Sequence, residues 1–161
     1  ILSFVAVIVL FVTYILVPTF YKQVDISREL KKELVSKLNL DFNFTKNLKY
    51  NFFPRPHFVT REASIIENEK SIAEINEIKI YFSLDNLFSI KNIDINEVIL
   101  ENANFELNNT NYNFFIKILD NNFLNINFKI KKSNIFFRNK ENEVLFITKK
   151  GTIFILGWNV K

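Results

Sequence analysis

The sequence predicts a mainly β chain, in which an N-terminal transmembrane helix and one short amphipathic helix precede an antiparallel meander that curls into an open, taco-like groove. Three observations predict it. Residues 1–17 carry no charge, residues 25–38 repeat their apolar positions every four residues, and from Leu40 onward the repeat shortens to two. The expected division is an anchor over 1–20, a linker and amphipathic helix over 21–39, and a β-groove domain over 40–161 that is incomplete at its C-terminal side.

The first segment reads ILSFVAVIVLFVTYILV, with only Ser3, Thr13 and Tyr14 bearing polar side chains. At ~1.5 Å per residue it covers roughly 26 Å of a ~30 Å hydrocarbon layer. Pro18 is expected to close the helix, and Phe20 and Tyr21 stand where interfacial aromatics gather. A cleaved signal peptide needs a shorter apolar stretch and a small-residue cleavage site, which Pro18-Thr19-Phe20-Tyr21 does not offer. Lys22, Arg28, Lys31, Lys32 and Lys37 follow the span, and the positive-inside rule alone would turn that side to the cytoplasm. The flank before Ile1 is needed for that comparison, so charge leaves the orientation open. Starting at Ile1 and stopping at Lys161 inside an apolar run, the chain reads as a piece of a longer one.

Over 25–38, Ile26, Leu30, Leu34 and Leu38 form one stripe widened by Val35. Asp25 is the expected N-cap, Glu33 and Lys37 pair one turn apart, and Asn39 suits the left-handed residue that ends a helix. Beyond it, apolar and polar residues alternate in Leu40/Phe42/Phe44, Leu48/Tyr50/Phe52, Ile78/Ile80/Phe82/Leu84, Ile93/Ile95, Phe105/Leu107 and Leu124/Ile126/Phe128/Ile130. Shorter runs follow at 134–138, 144–148 and 152–158, which suggests about nine strands with one apolar and one wet face. Residues 71–76 and 109–120 read as helical or irregular interruptions. Without a long βαβ alternation, a doubly wound fold is not expected.

Composition removes most chemistry. There is no Cys, a single histidine (His57), and the only glycines are Gly151 and Gly157. A thiol site, a zinc cluster, a Ser-His-Asp triad with spare members and a phosphate-cradling loop all lack parts, so no catalytic residue, metal or cofactor is expected. The net charge of +4 is spread along alternating strands, with Lys129, Lys131 and Lys132 as the nearest thing to a patch. A nucleic-acid partner needs a clustered one and is not expected.

From Tyr21 to about Leu107 the order of features resembles the amino-terminal region of AsmA-family proteins. An anchor, a linker and an amphipathic helix are followed by a strand pair, the phrase Phe52-Phe53-Pro54-Arg55-Pro56, and alternating strands at 78–84 and 93–107. The stretch 132–139 is similar to a recurring strand of the family. Asn39 and Asn134 stand where Gly is more usual and Ala103 where Pro is common, departures that bear on turn geometry. The resemblance, which extends to TamB-like and bridge-like lipid-transfer proteins, implies a single-pass inner-membrane protein with its body in the periplasm. It implies an apolar β-groove for phospholipid transport and outer-membrane biogenesis, with acyl chains, the inner membrane and outer-membrane components as partners. Candidate groove-lining residues are Phe42, Phe44, Phe52, Ile80, Phe82, Ile95, Phe105, Leu124, Ile126, Phe128 and Ile130. The Phe53, Pro54, Arg55 and Pro56 step carries no chemistry and reads as a rigid turn that ends strand pairing. An anchored scaffold assisting outer-membrane protein assembly is the alternative, and it predicts a closed core in place of a trough.

Overall fold

The computed structural model describes residues 2–67, 69–85, 87–113, 116 and 126–155. Helix α1 spans Leu2–Leu16 and passes into a 3-10 turn, Val17–Phe20, with Pro18 in its first turn. Helix α2 spans Gln23–Leu38 and ends on Asn39 in the left-handed conformation, as expected (φ 51°). The cap at its start differs. Lys22 occupies the N-cap position, while Asp25 lies in the first turn and pairs with Arg28 at 2.7 Å.

The strands are β1 (Asp41–Phe44), β2 (Lys49–Asn51), β3 (His57–Glu67), β4 (Lys70–Phe82), β5 (Ile95–Leu107), β6 (Asn127–Arg138) and β7 (Val144–Ile155). They form one open sheet in the order β1-β3-β4-β5-β6-β7, with β2 pairing the other half of β3. The fold is mainly β as expected, but the sheet is mixed. β5 and β6 run parallel, from Glu97 opposite Asn127 to Leu107 opposite Phe137, and every other pair is antiparallel. A parallel neighbour needs a crossover in place of a hairpin, which is the task of the chain between Leu107 and Asn127. Of the helix expected over 109–120, residues 114, 115 and 117–120 lie outside the described residues; of the run over 152–158, residues 152–155 are the end of β7 and 156–158 lie outside.

Among the described residues seven strands stand where about nine were expected, and residues 71–76 are strand. The reason is a row of left-handed residues crossing the sheet at one level. Glu62, Asn102, Lys132 and Lys150 have φ of 58°, 53°, 52° and 51°. Glu62 and Asn102 face Asn76 from either side, because Arg61 and Ala63 pair Glu77 and Ile75, which pair Glu101 and Ala103 in turn. Each left-handed residue shifts the side-chain phase by one residue, while the register from β3 to β6 stays unbroken at this level. The buried face of β5 is Val98 and Leu100 before the seam, then Ala103, Phe105 and Leu107 after it. In β6 it changes from Phe128 and Ile130 to Ser133 and Ile135. A one-residue shift flips the faces, so one long strand reads in sequence as two short ones.

On β3, β5 and β6 the buried residue just past the seam is small, Ala63, Ala103 and Ser133, continued by Gly151 on β7, while Ile75 fills the row on β4. A Cβ on Gly151 would approach Thr148 Cγ2 to 3.2 Å. The Ala103 N–H, diverted from the ladder, donates to Ser133 Oγ at 3.0 Å. Left-handed backbone costs a non-glycine residue about 1–2 kcal/mol. Lys132→Gly is therefore expected to raise the urea midpoint in detergent, and Lys132→Val to lower it.

Candidate functional site

The inner face of the sheet is one apolar surface. Across it, Phe58, Ile80, Val98 and Phe128 align in register, as do Thr60, Ile78, Leu100 and Ile130. The rings of Phe58 and Phe82 stack at 5.1 Å, and Tyr50 leans on Phe58 at 5.7 Å. Helix α2 lies on this face because its four-residue stripe, Ile26, Leu30, Leu34 and Leu38, is fully buried in the same core. Polar contacts fix its position: Lys31 sits over the Phe44 ring at 5.7 Å, and Lys37 pairs with Asp94 and donates to the Ile95 carbonyl at 3.2 Å. Those carboxylate contacts outweigh the partial burial of Lys37 and hold its pKa above the usual value.

The structure brings most of the sequence-predicted lining residues together on this face, but under cover. Phe42, Ile80, Phe82, Ile95, Phe105, Ile126, Phe128 and Ile130 are buried, and Phe44 is half-buried against α2. Phe52 stands apart, exposed beyond the end of β2, and Leu124 lies outside the described residues. The inner face is open instead at its β6–β7 corner. Phe137 packs on the core, and Phe146, 5.2 Å from it, is 58% exposed. Val144, Leu145 and Ile147 are exposed beside it, and among the described residues no strand pairs the outer edge of β7. Sequence reasoning read 134–138 and 144–148 as minor strands; the signal available was the apolar run Val144-Leu145-Phe146-Ile147, which lacks alternation.

At the opposite end the sheet is latched to α1. Tyr14 donates to the Leu84 carbonyl at 2.5 Å and accepts from the Leu87 N–H at 3.1 Å, while Tyr21 donates to the Leu87 carbonyl. From the other side, Tyr50 donates to the Ile15 carbonyl at 2.6 Å; burial pushes this phenol up to about 12, so it remains a donor.

On the outer face of the same end, the Phe53–Pro56 step is the turn between β2 and β3, with Arg55 as its working residue. Arg55 lies over the Tyr81 ring at 4.5 Å, Tyr81 stacks on His57 at 4.8 Å, and Arg55 and Lys129 both pair with the buried Glu97. Four strands and the turn are thus tied by one carboxylate. Burial acts to raise the Glu97 pKa, but hydrogen bonds and charge from Lys129 and Arg55 prevail and hold it below the usual range. A carboxyl depressed in the folded state stabilises above its unfolded pKa of ~4.3, and that contribution is lost as pH falls through the folded value. The stability gap between wild type and Glu97→Gln is expected to be full at neutral pH and to close in acid, read by thermal melts across pH. His57, whose Nδ1 lies 2.8 Å from the Arg55 carbonyl oxygen, belongs to this tie. Among the described residues no cluster of three or more His, Asp or Glu side chains is placed to hold a metal.

By length and composition, Ser3–Phe20 is apolar enough to cross a membrane, and 6% of it is buried by the rest of the chain. Comparison with curated proteins gives no match. Residues 1–135 match the model of the AsmA family, and on that match over most of its length the chain belongs to the AsmA family.

Proposed function

We propose that the protein is a non-enzymatic, membrane-anchored lipid-handling module. In this reading α1 is a single pass through the bacterial inner membrane and the sheet stands in the periplasm. Its apolar inner face shields phospholipid acyl chains in transport that serves outer-membrane biogenesis. The observation that carries it is the apolar inner face that continues uncovered at the β6–β7 corner, where Phe146 is exposed beside Phe137. The family assignment and the charge-free apolar α1 support it. Exposing an acyl chain to water costs ~0.8 kcal/mol per methylene, on the order of 12 kcal/mol for a sixteen-carbon chain. An open apolar corner removes that cost along its length without a pocket or a catalytic group. Native mass spectrometry of detergent-extracted protein tests it. Adducts of phospholipid mass are expected, and protein free of lipid under gentle extraction would end the proposal.

Two observations favour a second reading, an anchored scaffold for outer-membrane assembly: the expected lining residues are sealed in a core, as that reading predicts, and β7 is apolar on both sides. Leu145, on the other face of β7, is 70% exposed, so the strand offers apolar side chains on both faces along an unpaired edge. That is what strand addition by a protein partner uses.

A further inference from the structure

We propose that the anchor end of the sheet is itself sunk in the bilayer: Phe52, Phe53, Leu84 and Phe88 form a collar around α1 that enters the acyl layer of the leaflet on the sheet's side. This rests on the anchor reading above and adds the depth at which the sheet meets the lipid. The first observation is exposure. Phe53 is 79% and Phe88 75% exposed, and Phe52, Leu84 and Phe20 are exposed around the same end of the sheet. Phe52 and Phe53 sit in the β2–β3 turn, next to Tyr50 that bonds α1, and Leu84 and Phe88 in the β4–β5 loop that Tyr14 of α1 contacts.

The second is level. Phe88 lies 5.1 Å from the Tyr14 ring, and Tyr50 bonds the Ile15 carbonyl. Tyr14 is six residues before Phe20, the end of the apolar span, which at ~1.5 Å per residue is about 9 Å along the helix. Apolar faces of interfacial elements enter a bilayer by ~5–10 Å, so a span that ends near the surface carries Phe88 into the acyl layer.

The third is satisfaction of the backbone. An irregular loop in lipid strands its peptide groups unless the protein bonds them. Here the Leu84 carbonyl and both backbone groups of Leu87 are taken by the phenols of Tyr14 and Tyr21. Beside the collar, Asp85 is exposed and accepts from Ser83 Oγ at 2.6 Å, and Arg55 is exposed and paired with Glu97, both suited to the headgroup layer. Exposed Lys22, Lys49 and Lys91 flank the collar in sequence, where phosphates would meet them.

The test uses the full chain in phosphatidylglycerol/phosphatidylethanolamine vesicles, with the lone Trp158 replaced by Phe. Single tryptophans at Phe53→Trp, Phe88→Trp, Leu10→Trp and Lys140→Trp are compared, with lipids brominated along the acyl chain as quencher. Expected is strong quenching and blue-shifted emission at 10, 53 and 88, and neither at 140. Quenching at 10 without quenching at 53 and 88 overturns the collar and leaves the anchor standing. No quenching at 10 overturns both.

Discussion

Phe128→Asp is expected to abolish the folded sheet, read as loss of the far-UV β signal and of a cooperative melt in detergent. Phe128 is fully buried on β6, in register with Val98 of β5, on the face covered by α2. Removing the ring costs about 3–5 kcal/mol, and a carboxylate buried in its place adds several kcal/mol of desolvation. Together these match the whole stability of a domain, about 5–15 kcal/mol. Phe128→Leu is expected to fold and to melt modestly lower. In an open trough the carboxylate would reach water and the fold would survive, so the same variant separates core from lining.

That distinction was not legible in the sequence. Alternation shows that Phe128, Ile130, Phe105 and Ile80 share a face, but it is the same pattern whether lipid or a helix meets that face. The stripe Ile26/Leu30/Leu34/Leu38 predicted α2 and its buried side correctly. What it buries against followed only from the docking of Lys37 onto Asp94 and Ile95, some 57 residues away. The strand count failed for a nearer reason. Lys132 and Lys150 take left-handed backbone without being glycine or asparagine, and Asn102 is one Asn among many, so the phase shift reads as a strand end. The parallel β5–β6 pair is a non-local choice that alternation does not encode. The turn at Pro54-Arg55-Pro56 was read correctly as a stop to pairing, while its tie to Glu97 and Lys129 lay in residues 42 and more positions away. The open corner at Phe137 and Phe146 was missed because β7 exposes apolar residues on both faces, which removes the period-two signal.

Phe146→Asp is expected to leave the melt nearly unchanged and to strip bound phospholipid. The side chain is more than half exposed near the start of β7, so a carboxylate there stays in water and costs within about 0.5 kcal/mol of stability. An acyl chain lying on the Phe137–Phe146 pair would lose the burial of one ring, about 2 kcal/mol, and would meet a charge as well. Since 1.4 kcal/mol is a factor of ten, lipid occupancy should fall more than tenfold. Photo-cross-linking to phospholipid from Ile153, half-buried on the adjoining part of β7, measures it. Leu145→Asp is the partner experiment, because Leu145 alternates with Phe146 and faces the other side of the sheet. The lipid reading requires the loss at Phe146 and none at Leu145. The scaffold reading requires lipid labelling to be insensitive to both, with a strand-adding partner lost instead. A carboxylate on one side or the other of the same strand therefore decides whether the Phe146 face of β7 meets lipid.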